Sequence, residues 1–221
     1  MYFSRIVLRK DASASELMRK MQPTAGQAHG LIWDLFSDGP DRERDFIYRF
    51  EMRRGQPRFF AVSERRPMSE SRLWKVETKP YDPVLHQGED LSFLMRVNPV
   101  ITRHDDSGKH KRHDMVMDIK LQARESGQSL EGDLPTIAAC KWLSRRADRY
   151  GFVPMEETVT AESHETISFY KRKGSHPVSI SIMDISGTLR VADADAFREV
   201  LLYGLGPAKA YGCGLVMVKR A

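Results

Sequence analysis

Near its end the chain runs Gly204-Leu205-Gly206-Pro207-Ala208-Lys209-Ala210-Tyr211-Gly212-Cys213-Gly214-Leu215, and no other stretch restricts the fold as strongly. Four glycines and a proline in that span exclude a helix or strand interior, because glycine carries the largest backbone entropy cost and proline removes a donor. The stretch is therefore a loop. It joins an expected helix, Asp193 to Tyr203 with Ala194, Phe197 and Leu201 on one stripe and Asp193 as cap, to an expected buried strand. Glycines after a helix often serve only as caps and turns. Four of them around Lys209 favour a binding loop, whose bared amides meet something large and anionic. A dinucleotide fingerprint follows a strand and opens a helix, the reverse of this order, and no Gly-Lys-Ser/Thr of a phosphate loop occurs. A nucleic-acid backbone is the anion that remains.

The bulk properties agree with that partner. A chain of 221 residues, 41% hydrophobic and 29% charged, has the length for one large domain or two small ones. Its formal charge of +5 and isoelectric point near 9.2 favour an acidic ligand. Cys140 and Cys213 lack metal-ligand spacing and are too few for a disulfide framework. The apolar start, Met1 to Leu8, is too short for a signal peptide, and no stretch is long enough to span a bilayer. A soluble, cytoplasmic protein is expected, with no membrane partner.

The element order suggests a duplication. Tyr2 to Leu8 reads as a strand. Ala25 to Phe36 reads as a helix with Ala28, Leu31, Ile32, Leu35 and Phe36 on one stripe. Phe46 to Met52 and Arg58 to Ser63 form a hairpin around Arg53-Arg54-Gly55-Gln56-Pro57. Pro67 to Arg72 has room for a stunted helix, and Leu73 to Thr78 returns as a strand. This β-α-β-β-(α)-β order is the ferredoxin-like unit. After the turn-rich Lys79 to Pro83 it recurs, with a strand at Leu91 to Val97, a helix at Leu134 to Tyr150, a hairpin of Ile167 to Arg172 with Val178 to Leu189, the helix from Asp193 and a strand at Leu215 to Lys219. Arg103 to His113 reads as a hydrophilic loop. The expected class is α+β, with tandem ferredoxin-like (RRM-like) domains, each an antiparallel sheet with helices on one face, spanning residues 1–88 and 89–221.

Basic residues recur on these elements. Lys141, Arg145 and Arg149 fall at i, i+4, i+8 of one helix with Arg146 beside them. Lys171, Arg172 and Lys173 lie near the second hairpin's turn, and Lys109, Lys111 and Arg112 in the polar loop. A solvated face explains each group alone. Together with Lys209 and the loop glycines Gly204, Gly206, Gly212 and Gly214 they read as an RNA-binding surface that tracks phosphates. No glycine-aromatic ribonucleoprotein signature occurs, so shape and backbone recognition of a folded RNA is expected rather than stacking of single strands. His29 falls at the edge of its apolar stripe, where an imidazole with an ordinary pKa near ~6.5 could transfer a proton. Taken alone, a boundary histidine without chemistry is the commoner case. His104, His110 and His113 lack zinc-ligand spacing, so neither a metal nor another cofactor is expected. The chemistry left is internal transesterification, in which the 2′-hydroxyl of the RNA attacks the adjacent phosphate and the protein supplies proton transfer, cations and a rigid grip.

The loop string, the opening Met1-Tyr2-Phe3-Ser4-Arg5, the run His29-Gly30-Leu31-Ile32-Trp33-Asp34-Leu35-Phe36 with Arg44-Asp45-Phe46, and Arg96-Val97-Asn98-Pro99-Val100 resemble the CasE family over essentially the whole chain. This family comprises the CRISPR RNA processing endoribonucleases of the type I-E Cascade complex. The resemblance implies tandem ferredoxin-like domains that bind the repeat hairpin of precursor CRISPR RNA. It also implies metal-independent cleavage at the 3′ base of the stem, leaving a cyclic phosphate, and retention of the product as a Cascade subunit. The isolated chain is expected to be monomeric. His29 matches the family's catalytic histidine, and its helper cation corresponds to Lys171 or Lys173. Where family members carry a tyrosine three residues before that histidine, this chain has Gly26. A non-catalytic hairpin-binding and assembly subunit is the alternative reading.

Overall fold

The computed structural model describes residues 1–12, 25–36, 44–104, 110–170 and 176–221, without the side chains of 25–27, 29 and 104. Four strands form the first sheet: β1 (Tyr2–Leu8), β2 (Phe46–Arg53), β3 (Gln56–Ser63) and β4 (Trp74–Pro80). Their order, β2-β3-β1-β4, is antiparallel throughout. Period-two alternation sends Ile6, Tyr48, Phe59 and Ala61 to one face. There they pack with Leu31, Ile32, Leu35 and Phe36 from α1 (Ala25–Trp33) and the turn that follows it. The intervening residues, including Arg5, Val7, Arg49, Glu51, Arg58 and Phe60, lie on the opposite face, with Arg5 beside Phe60 and Val7 beside Arg58 in the ladder.

The short helix expected between β3 and β4 is absent. Residues 64–73 form bends instead, closed by Ser71, whose hydroxyl accepts from the amides of Leu73 and Trp74. Pro67 and the run of serines and charges offer no apolar stripe to hold a helix on the sheet.

The second sheet repeats the plan. Strands β5 (Asp90–Val97), β8 (Phe152–Pro154), β10 (Pro177–Val191) and β11 (Val216–Arg220) run in the order β11-β5-β10-β8, and β9 (Thr160–Tyr170) pairs with β10. In both sheets the first strand of the repeat lies between the third and the fourth. That arrangement is the ferredoxin-like topology the sequence suggested. Helix α3 (Leu134–Tyr150) begins at Asp133, which accepts from the Thr136 amide at 3.3 Å. It ends at Gly151 with φ 69°.

The expected loop at Arg103 to His113 is replaced at both its ends by strands. β6 (Val100–His104) pairs with β7 (His110–Asp114), and residues 105–109 lie outside the description. A further helix, α2 (Met115–Ser126), follows. Its cap, Asp114, accepts from Val116 and Met117 and also bonds Ser181 and His164, the last at 3.1 Å. Burial raises the Asp114 pKa, but the bonds from Ser181, Met117 and His164 outweigh it and hold the carboxyl below its ordinary value. Helix α4 (Ala194–Tyr203) leads into the glycine loop.

Two compact units emerge. One gathers residues 1–84, 167–180 and 200–215; the other gathers 85–166, 181–199 and 216–221. The ends of β9 and β10 and the glycine loop thus belong with the first sheet, although they lie late in the chain. Among the described residues no helix is long and apolar enough to cross a membrane.

Candidate nucleic-acid interface

The glycines of the loop are needed by its backbone. Gly204, Gly206, Gly212 and Gly214 all have φ between 78° and 92°, a region that L side chains avoid. Gly204, Gly212 and Gly214 are also buried. A Cβ on Gly204 would lie 2.8 Å from the Gly214 carbonyl oxygen, and one on Gly212 would lie 3.3 Å from the Tyr48 ring. The expectation of bared amides fails for two of the four glycines. The amides of Gly204 and Gly212 donate to Val200 and Lys209, and that of Leu205 donates to Gly214 at 2.9 Å. The loop is folded onto itself and onto β2.

What it presents is a turn, Lys209–Tyr211, resting on both β2 and α1. The Tyr48 hydroxyl donates to the Ala210 carbonyl at 3.0 Å and pins that turn to the sheet. Tyr48 is fully buried, and burial, reinforced by the nearby Cys213 thiol, drives its hydroxyl far above the ordinary range, so it stays a donor.

Beside this pin stand two half-buried cations. Burial lowers the Lys209 pKa, and the neighbouring Arg44 guanidinium lowers it further. Burial likewise lowers that of Arg44. Asp45, the carboxylate next in sequence, is engaged by Arg65 at 2.8 Å. Among the described residues neither Arg44 nor Lys209 is paired with a carboxylate. Two like charges held partly out of water are favoured by an arriving anion, which restores the solvation both have lost. Sequence reasoning singled out Lys209. It noted Arg44 only within a motif and left Tyr48 without a role, because neither has a local signature.

The other expected site residues fall in different places. Position 29 lies in the middle of α1, the helix that touches the Lys209–Tyr211 turn, but the His29 side chain is outside the description. Lys171, Arg172 and Lys173 also lie outside it. Lys141, Arg145 and Arg149 are exposed on α3, in the second unit, opposite the buried Ala138, Trp142 and Leu143. Arg146 differs from them. Its guanidinium stacks 3.8 Å from the Trp142 ring and donates to the Trp142 carbonyl at 2.9 Å, so packing on its own helix occupies it. Lys141 and Arg145 line a cavity of about 360 Å³ together with Asp118, Gln122 and Ser144.

Known proteins resemble this chain along its length. A family model described as "CRISPR associated protein" matches residues 1–220. The CRISPR system Cascade subunit CasE of Escherichia coli strain K12 is 28% identical over 193 residues, covering 86% of this chain and 89% of that protein. Among solved structures, the CRISPR-associated protein Cas6e from Escherichia coli K-12 superposes with a TM-score of 0.65 at 25% identity over the whole of both chains. Thermus thermophilus Cse3 bound to an RNA representing a pre-cleavage complex gives 0.68 at 21% identity, covering 99% of this chain and 98% of that one.

Proposed function

This chain belongs to the CRISPR-associated protein family, and from that membership we propose that it is an endoribonuclease of CRISPR RNA maturation. It binds the repeat hairpin of precursor CRISPR RNA in the cytoplasm, cuts at the 3′ base of the stem and stays bound as a subunit of Cascade. Support comes from the resemblance to a Cascade subunit and to Cse3 in a pre-cleavage RNA complex. The observation that carries the reading is the pair of Arg44 and Lys209, which has no carboxylate partner among the described residues, beside the helix that holds position 29. That pair grips backbone phosphate, and His29 moves the proton.

The reaction needs no metal. The 2′-oxygen attacks the adjacent phosphorus as its proton departs, the bond from phosphorus to the 5′-oxygen breaks, and that oxygen takes up a proton. The products are a 2′,3′-cyclic phosphate and a 5′-hydroxyl. His29 is assigned to proton transfer, and Lys171 or Lys173 to the charge growing on the phosphoryl oxygens. The histidine lies in residues 1–88, and the basic helix with Lys141, Arg145 and Arg149 and the basic hairpin lie in residues 89–221.

Incubation with a repeat RNA in excess chelator is the test. Wild-type protein should cut, whereas H29A, or a 2′-deoxy nucleotide at the scissile position, should abolish cutting and spare binding. Equal cleavage by H29A removes the histidine from the mechanism. Gly26, where the resemblance leads to a tyrosine, supports a second reading as a non-catalytic binding and assembly subunit. Tight hairpin binding with no turnover under any condition would establish it.

A further inference from the structure

We propose that an arginine-lined recess at the β2–β3 turn, on the sheet face away from α1, binds the phosphate backbone of a single-stranded RNA segment outside the hairpin. The inference rests on the reading of this chain as an RNA-binding protein. The recess has a volume of about 280 Å³ and is lined by Arg5, Val7, Arg53, Arg54, Gln56, Pro57 and Arg58. Four guanidinium groups surround it, and among the described residues no carboxylate lines it. Arg5 and Arg58 are held by Glu77 and Glu51, which fixes their forks at the rim. Arg53 and Arg54 are exposed, and among the described residues neither has an ion-pair partner.

The turn itself is informative. Arg53 pairs with Gln56, so Arg54 and Gly55 form a two-residue hairpin loop, with φ 51° and 73°. Such a loop favours asparagine, aspartate or glycine at its first position, because other L side chains are strained there. Arginine occupies it here, and its side chain is exposed. Backbone strain kept at an exposed position points to function. The strained residue completes a ring of cations.

The chemistry selects single-stranded nucleic acid. Planar guanidinium forks match phosphate oxygens two at a time. Arg58 also lies over the Phe60 ring at 4.8 Å, which sets a flat platform beside the charge, and a cationic groove with a flat platform is how unpaired strands are held. A recess this small, bounded by a tight turn, admits one strand and not a duplex.

The experiment measures fluorescence anisotropy of wild type and of R53Q/R54N, the asparagine being chosen to keep the turn. Three probes are used, each with a 2′-deoxy nucleotide at the scissile position where one exists: the repeat hairpin, the hairpin with a single-stranded uridine extension, and oligouridine alone. Wild type should bind the extended hairpin more tightly than the bare one. R53Q/R54N should bind the bare hairpin as wild type does and lose about three- to tenfold on the extended probe and on oligouridine, with a salt slope shallower by about 1.4 for two lost phosphate contacts. Unchanged affinity for both probes carrying uridines overturns the proposal, as does a variant defect confined to assembly with other protein subunits, which assigns the recess to an acidic protein surface. Failure of wild type to bind the bare hairpin, with oligouridine binding still lost in the variant, overturns the hairpin reading and leaves the recess standing.

Discussion

Two turns of the first compact unit use the same rare backbone conformation for opposite ends. In the loop from Gly204 to Gly214 the left-handed residues are four glycines and Ala208; three of the glycines are buried, and their missing side chains let backbone pass against backbone and against the Tyr48 ring. In the β2–β3 turn left-handed Gly55 is preceded by left-handed Arg54, which is exposed and charged. The first turn adopts the conformation to fit inside the molecule, and the second tolerates it while holding a cation at the surface. A positive φ is thus a packing device in one place and a strained display in the other, and only the surroundings distinguish them.

Substitutions separate these roles, and the largest effect belongs inside. Gly204→Val places a Cβ into the Gly214 carbonyl oxygen at a φ of 78° and should cost about 3 kcal/mol or more. A urea midpoint equal to that of wild type would show that the loop is not packed in this way. Tyr48→Phe removes the bond to Ala210 and leaves that carbonyl without this donor, for an expected loss of about 1 kcal/mol in the same measurement. Arg54→Asn should instead gain about 0.5 to 1 kcal/mol, since asparagine tolerates the left-handed region. A loss of stability there would make the two turns alike.

The smallest effect is expected at Lys209→Met, which relieves a desolvated cation beside Arg44 and should change stability by less than about 1 kcal/mol in the favourable direction. Its size depends on pH. The folded-state pKa of Lys209 lies below the unfolded one, so the unfolded chain holds that proton more readily, and wild-type stability rises with pH through the window beneath the ordinary lysine value. The advantage of Lys209→Met over wild type should therefore shrink as pH climbs toward about 10, as thermal melts across pH would show. The same variant should bind repeat RNA more weakly, so stability and affinity move in opposite directions.

Most strands of both sheets were legible in the chain because their apolar alternation is local, but β8 was not expected and β9 begins at Thr160 rather than Ile167. Ile6 on β1 and Phe59 and Ala61 on β3 announce a half-buried strand pair, and Asp133 and Gly151 bracket α3 with ordinary caps. Less legible was the stretch from Val100 to Ser126. β7 reads His-Lys-Arg-His-Asp, with no apolar alternation, because among the described residues β6 and β7 pair only with each other, outside both larger sheets. α2 has a mean composition too polar to stand out, although Met115, Val116, Ile119 and Ala123 are buried. At the site, a run of glycines was visible as a loop, but its partner was not. Tyr48 and Ala210 bond across 162 residues, a distance no periodicity reports. Arg54 was read as part of a hairpin turn, and its strain became visible only with the backbone angles.

The placement of residues 200–215 in the first compact unit also bears on how the protein is made. Synthesis delivers β1 to β4 early, and such a sheet ordinarily closes while the chain is still emerging. Here the glycine loop against which Ile47 and Tyr48 pack is translated after nearly all of the second sheet. A nascent chain that has reached β10 still exposes the loop-facing edge of the Tyr48 ring that Gly212 will later cover. The first unit is begun first and completed almost last, so a stalled or shortened transcript yields a chain whose oldest part is the one left open to chaperones and proteases.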